Sequence, residues 1–233
     1  MSSVSSPSVT EDPAEKNPAE KNPASAERIP AGERREQILA AASRVFGERG
    51  YAGATTDQVA QAAGISQPYV VRMFGSKENL FVEVLGRALD TLVVAFRAAI
   101  ADSKAAGEDV EARGARIGAA YADLISDRGI LLSLMQGFIM GHDPVIGACA
   151  RKGFLTIYGI MRDEAGLSAE HAVDFLAHGM LFNTLIALRM TDAYGADDRV
   201  DELVGCAFRT KLDLVLGIVA IESRVATESA KQA

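Results

Sequence analysis

The 233-residue sequence predicts an all-α fold. Apolar residues recur at helical spacing along most of its length, and no run alternates strictly between apolar and polar. No Asn-Gly or Asp-Gly pair is available to turn a hairpin. Roughly nine helices result from the pattern.

Residues 1–32 stand apart from this pattern. Serines crowd the start, and the unit Ala-Glu-Lys-Asn-Pro occurs at Ala14–Pro18 and again at Ala19–Pro23. Five of the seven prolines fall at positions 7, 13, 18, 23 and 30. Each removes a backbone donor and biases its predecessor away from helix. Such a stretch buries too little apolar surface to offset its ordering entropy, so a disordered tail is expected.

A first helix begins at Glu33, with Ile38, Ala42, Val45 and Phe46 on one stripe and Gly50 closing it in a left-handed conformation. Thr55 and Gln58 have capping-box spacing ahead of a short second helix, Thr56–Ala63, which Gly64 stops. Ser66 is placed to cap a third helix, Gln67–Phe74, with Pro68 in its first turn where a missing N–H costs little. Gly75 closes that helix. Ser76 caps a long fourth one from Lys77 to about Lys104. Further helices are expected over Glu111–Ser126, Ile130–Gly141, Pro144–Gly166, Ala169–Ala193 or Tyr194, and Val200–Ser223.

Two short helices joined by Gly-Ile-Ser, with Ala60, Ala62 and Ala63 small enough for a close crossing, have the shape of a helix-turn-helix. In that motif the second helix enters a major groove with its first residues facing base edges. Gln67 can bond adenine bidentately, Tyr69 can reach a phosphate or a thymine methyl, and Arg72 can pair with phosphate or guanine. Ser66 and Pro68 complete the leading turn. Thr56 and Lys77, at two further helix starts, suit phosphates.

Residues 33–80 resemble the DNA-binding domain of the tetracycline-repressor (TetR) family. The resemblance rests on an ordered set. It runs Ile38-Leu39-Ala40-Ala41-Ala42, Phe46-Gly47-Glu48-Arg49-Gly50-Tyr51, Thr55-Thr56, Val59-Ala60, Ala62-Ala63-Gly64-Ile65-Ser66 and Phe74-Gly75-Ser76-Lys77-Glu78-Asn79-Leu80. It implies a homodimeric repressor that binds a palindromic duplex operator, with an effector-binding and dimerisation domain over residues 81–233. Thr56 and Lys77 carry over as phosphate contacts. The family commonly has aromatics where this chain has Val71 and Met73, which cannot donate a hydrogen bond, so Tyr69 is expected to take over the backbone contact.

By the same analogy, helices between residues 111 and 193 enclose a cavity for a largely apolar effector. Tyr121, Gln136, Phe138, His142, Tyr158, Phe182 and Asn183 are its polar or aromatic candidates. The last two helices would form a four-helix bundle with their copies, using Leu203, Ala207, Leu214, Leu216 and Ile218 as interface or core. The long fourth helix links head to cavity and is the natural lever. The alternative is a helical small-molecule sensor whose head no longer reads DNA.

Other classes are poorly supported. His171 and His178, two of three histidines, lie about 10.5 Å apart along a helix, too far to share a metal easily. No Gly-x-Ser-x-Gly, phosphate loop or dinucleotide fingerprint occurs, so neither an enzyme nor a cofactor is expected. Cys149 and Cys206 make no disulfide framework, the first residues do not read as a signal peptide, and no apolar run is long enough to span a bilayer. A cytoplasmic protein is the expectation. The net charge of −7 divides as −2 over residues 1–32, +1 over 33–80 and −6 over 81–233. Acidity therefore lies mainly on the part turned away from DNA, and the head relies on a few phosphate contacts.

Overall fold

The computed structural model describes residues 30–125, 127–209, 212–213 and 215–217. They form nine α-helices and no strand. The expected tail, apart from its last residues, and Ser126, Leu214, Ile218 and Ser223 lie outside the described residues. No helix among the described residues is long and apolar enough to cross a membrane.

Helix α1 (Ala31–Gly53) starts two residues earlier than its sequence pattern. It breaks at Gly50, whose φ of 69° lies in the left-handed region and turns the chain so that Ala54 N–H bonds Gly50 O at 3.1 Å. Helix α2 (Thr56–Ala62) carries the complete capping box: Gln58 N–H donates to Thr55 Oγ1 at 3.2 Å, and Thr55 N–H donates to Gln58 Oε1 at 3.0 Å. Helix α3 occupies Gln67–Phe74. The turn between them is closed by Ile65 N–H on Ala60 O at 3.0 Å. Helix α4 (Lys77–Ala105) is capped by Ser76, which accepts from Asn79 N–H at 3.0 Å.

The core is continuous from this head into the rest. Phe46, Tyr51 and Phe81 form an aromatic cluster, with Phe46 and Phe81 edge to face at 5.0 Å and Tyr51 and Phe81 at 5.1 Å. The boundary expected after residue 80 falls inside α4, whose buried face runs on through Leu85, Leu92 and Phe96.

Helices α5 (Val110–Ile125), α6 (Arg128–Ile139), α7 (Pro144–Gly159), α8 (Ala169–Ala187) and α9 (Asp198–Phe208) complete the body. Helix α6 lies along α1 as well as α4. Gly137 permits that approach, because a Cβ there would stand 2.8 Å from Leu85.

Three predicted helix ends move. The helix expected to reach Gly166 stops at Gly159, and a wider π-type turn spans Ile160–Glu164. The helix expected to reach Ala193 or Tyr194 stops at Ala187, because Arg189 takes a left-handed φ of 54°. The last predicted helix breaks at Arg209, whose φ is 47°. Left-handed backbone at a side-chain-bearing residue is uncommon, so no glycine marks either break.

Candidate nucleic-acid interface and ligand cavity

The seven residues expected to meet DNA fall into four groups. Gln67 Nε2 donates to Thr56 Oγ1 at 3.2 Å, so one bond ties the starts of α2 and α3 together and fixes their crossing. Further along α3 the Arg72 guanidinium lies 4.9 Å above the Tyr69 ring. Both remain partly or fully exposed, with Arg72 held at a set height over the surface. The buried face of the same short helix is Val70 and Phe74, so its other side is left to solvent.

Ser66 and Pro68 are exposed at the start of α3. Ser66 departs from its expected capping role. It occupies the N-cap position with extended backbone but makes no side-chain capping bond, so its hydroxyl stays free at a helix N-terminus.

Lys77 departs further from expectation. Its ammonium donates to Tyr51 O at 2.9 Å and Ala54 O at 3.2 Å, and sits 4.6 Å over the Tyr51 ring. It closes the frayed end of α1 rather than reaching outward, which leaves at most one of its three donors for a phosphate. Arg35, at the start of the head, is likewise engaged, paired with Glu83 and stacked 4.7 Å over Phe74.

Two adjoining hollows lie in the body. The inner one, of about 50 Å³, lies between α4, α5, α6, α7 and α8 and is lined by Leu89, Leu92, Phe96, Leu134 and Phe138 among others. The outer cleft, of about 820 Å³, opens between α5, α8 and α9 over the small residues Gly114, Ala115, Gly118 and Ala119. Tyr121, Phe175 and Gly179 belong to both walls.

Four of the seven expected cavity residues meet here. Phe138 and Asn183 line the inner hollow, Phe182 the outer cleft and Tyr121 both. The buried Tyr121 hydroxyl donates to Asn183 Oδ1 at 2.6 Å.

The other three residues point elsewhere. Gln136 faces the head, where its Oε1 accepts from Tyr51 N–H at 3.3 Å beside the Gly50 break. His142 is exposed in the short helical turn after α6. Tyr158 lies under Arg162, whose guanidinium is 5.5 Å from its ring. Phe96 and Phe175 were missed by sequence reasoning, although Leu89, Leu92 and Phe96 share an i, i+3, i+7 stripe that could have shown α4 as a wall. No cluster of three or more His, Cys, Asp or Glu among the described residues is arranged to hold a metal ion.

Burial pushes the Tyr121 phenol up to about 12 from its ordinary 10.0. A raised phenol pKa means that the folded chain holds the proton more tightly than the unfolded one. The associated stability is therefore present below pH 10 and is lost as pH rises from 10 towards 12. The loss amounts to roughly 2–3 kcal/mol. Urea unfolding at pH 9 and pH 11.5 should show that decline, and Tyr121→Phe should reduce it.

The described residues thus form a helix-turn-helix head with a largely exposed second helix, set on a helical body that contains a cavity. Residues 38–84 match the family model "Bacterial regulatory proteins, tetR family". The transcriptional activator FasR of Mycolicibacterium smegmatis is 47% identical over 73 residues, 31% of this chain and 33% of that protein. The transcriptional repressor AcnR of Corynebacterium glutamicum is 41% identical over 58 residues, 23% of this chain and 31% of that protein. The matches thus span about a third of these relatives' length. The structure of the fatty acid degradation regulator FadR from Bacillus halodurans shares the fold with a TM-score of 0.56 at 18% identity, over 81% of this chain and 97% of that one. A TetR-like regulator from Rhodococcus sp. RHA1 does so with a TM-score of 0.55 at 19% identity, over 82% and 96%. Residues 38–84 are thus a DNA-binding domain of the TetR type, and the helical body behind them shares the fold of TetR-like regulators.

Proposed function

We propose that the chain acts as a homodimer that binds a palindromic duplex operator and is released by a largely apolar small molecule. The observation that carries this reading is helix α3 of the head, whose outer side carries the Arg72–Tyr69 pair and whose start is joined to α2 by the Gln67–Thr56 bond. Ser66, Pro68 and Thr56 flank them. Two such heads related by a two-fold axis would meet successive major grooves about 34–36 Å apart.

The dimer is supported by α8. Val173, Ala177, Leu181, Thr184 and Leu188 recur at helical spacing on its exposed side, with Val173 57% and Leu188 63% accessible. An exposed stripe that is apolar apart from Thr184 supports an interface at this face. Leu203, also exposed on α9, fits the same face, whereas Ala207 is buried in the core.

Release follows if the effector favours a head separation that the operator does not. The named relatives include an activator and a repressor, and DNA release serves either sign of regulation. Selection from random duplexes with the purified chain should recover a palindrome whose half-sites lie about one helical turn apart. Recovery of no sequence preference at low salt would remove the reading.

A further inference from the structure

The inner hollow contains one polar group with an unmet need. Asn183 is only 2% exposed, and its Oδ1 is occupied by the Tyr121 hydroxyl. Its amide nitrogen has, among the described residues, only the Met180 sulfur at 3.9 Å. A thioether is a weak acceptor, so one N–H of this cavity-lining amide is weakly answered and the other has no partner among the described residues. Among the described residues, Tyr121 is the only ionisable side chain lining that hollow, and it stays neutral over the ordinary pH range. An anion placed there would find no cation to balance it, and a buried unpaired charge is strongly disfavoured. The ionisable residues Glu111, His171, Asp174, His178 and Arg209 all line the outer cleft instead.

We infer that Asn183 recognises a neutral carbonyl-type acceptor, carried by an apolar molecule whose body lies in the outer cleft. This rests on the reading of the body as an effector site. The Tyr121 ring packs on Gly179 in the shared wall, where a Cβ would stand 3.3 Å from it, so a chain entering from the outer cleft reaches the amide by displacing that ring. Ketones, esters and lactones fit this description. Carboxylates, ammonium compounds and plain alkanes do not.

The test is calorimetric titration of the full chain with methyl decanoate, decanoate and decane, without DNA. The ester is expected to bind wild type at least about tenfold more tightly than either of the others, and Asn183→Leu is expected to erase that preference. Because Asn183→Leu strands the Tyr121 hydroxyl, the double variant Tyr121→Phe/Asn183→Leu serves as its folded control, with helicity checked by circular dichroism. Preference for decanoate, equal ester binding by wild type and the double variant, or failure of wild type to bind the ester would each overturn the inference. Since the readout needs no duplex, such a failure leaves the DNA-binding reading standing. Loss of duplex selection alone would leave the carbonyl site standing.

Discussion

Replacing Arg72 and Tyr69 together by alanine is expected to abolish sequence-specific DNA binding while leaving the fold intact. Arg72 is exposed and Tyr69 only partly buried at the edge of the core, while the fully buried residues of α3, Val70 and Phe74, are untouched. A guanidinium that pairs with a guanine edge contributes roughly 1–3 kcal/mol, and a two-fold complex loses it twice, so roughly 2–6 kcal/mol disappears per dimer. If Arg72 meets phosphate instead, Arg72→Ala alone lowers affinity evenly across sequences and reduces the salt slope by about 1 per contact. Tyr69→Ala alone frees Arg72 from its ring and should broaden specificity before it weakens binding. Fluorescence anisotropy with a selected operator at two salt concentrations separates these outcomes. Unchanged affinity in the double variant would show that α3 is not the recognition helix.

The second large effect concerns assembly. Leu181 is central to the exposed α8 stripe and 38% accessible, so Leu181→Glu places a charge on that face without opening the core. A carboxylate at the centre of an apolar two-fold interface meets its own copy, and both desolvation and like-charge repulsion oppose association. The variant should sediment as a monomer with unchanged helicity. Its operator affinity should fall by roughly 10²–10⁴-fold, because a single head forfeits the effective concentration provided by its twin. A dimeric Leu181→Glu chain would place the interface elsewhere.

What the sequence revealed was decided by local geometry. The Thr55–Gln58 capping box, the Gly50 break and the start of α4 each depend on residues within four positions of one another, and all appear as read. Side-chain destinations across the fold were not legible in that way. Gln136 sits two residues from Leu134 and Phe138, yet a helix turns about 100° per residue, so its amide faces Tyr51 while theirs face the cavity. Lys77 was expected to meet a phosphate because it begins a helix. The carbonyls that capture it lie 23 and 26 residues earlier, at a helix end that only the tertiary fold brings near. The breaks at Arg189 and Arg209 were invisible for another reason: backbone normally associated with glycine is carried there by arginine.

Helix α6 gives those differences a thermodynamic meaning. Leu134 and Phe138 line the inner hollow, while Gln136 holds the end of α1 and Gly137 seats against Leu85 of α4. The cavity wall and the support of the reading head are thus the same twelve-residue helix. Any coupling carried by such a shared part works in both directions with the same factor. On the proposed function, the operator duplex would itself act as a negative effector of the cavity. Titrating a cavity ligand into the free chain and into its DNA complex should give two dissociation constants. Their ratio equals the factor by which that ligand loosens the head from DNA.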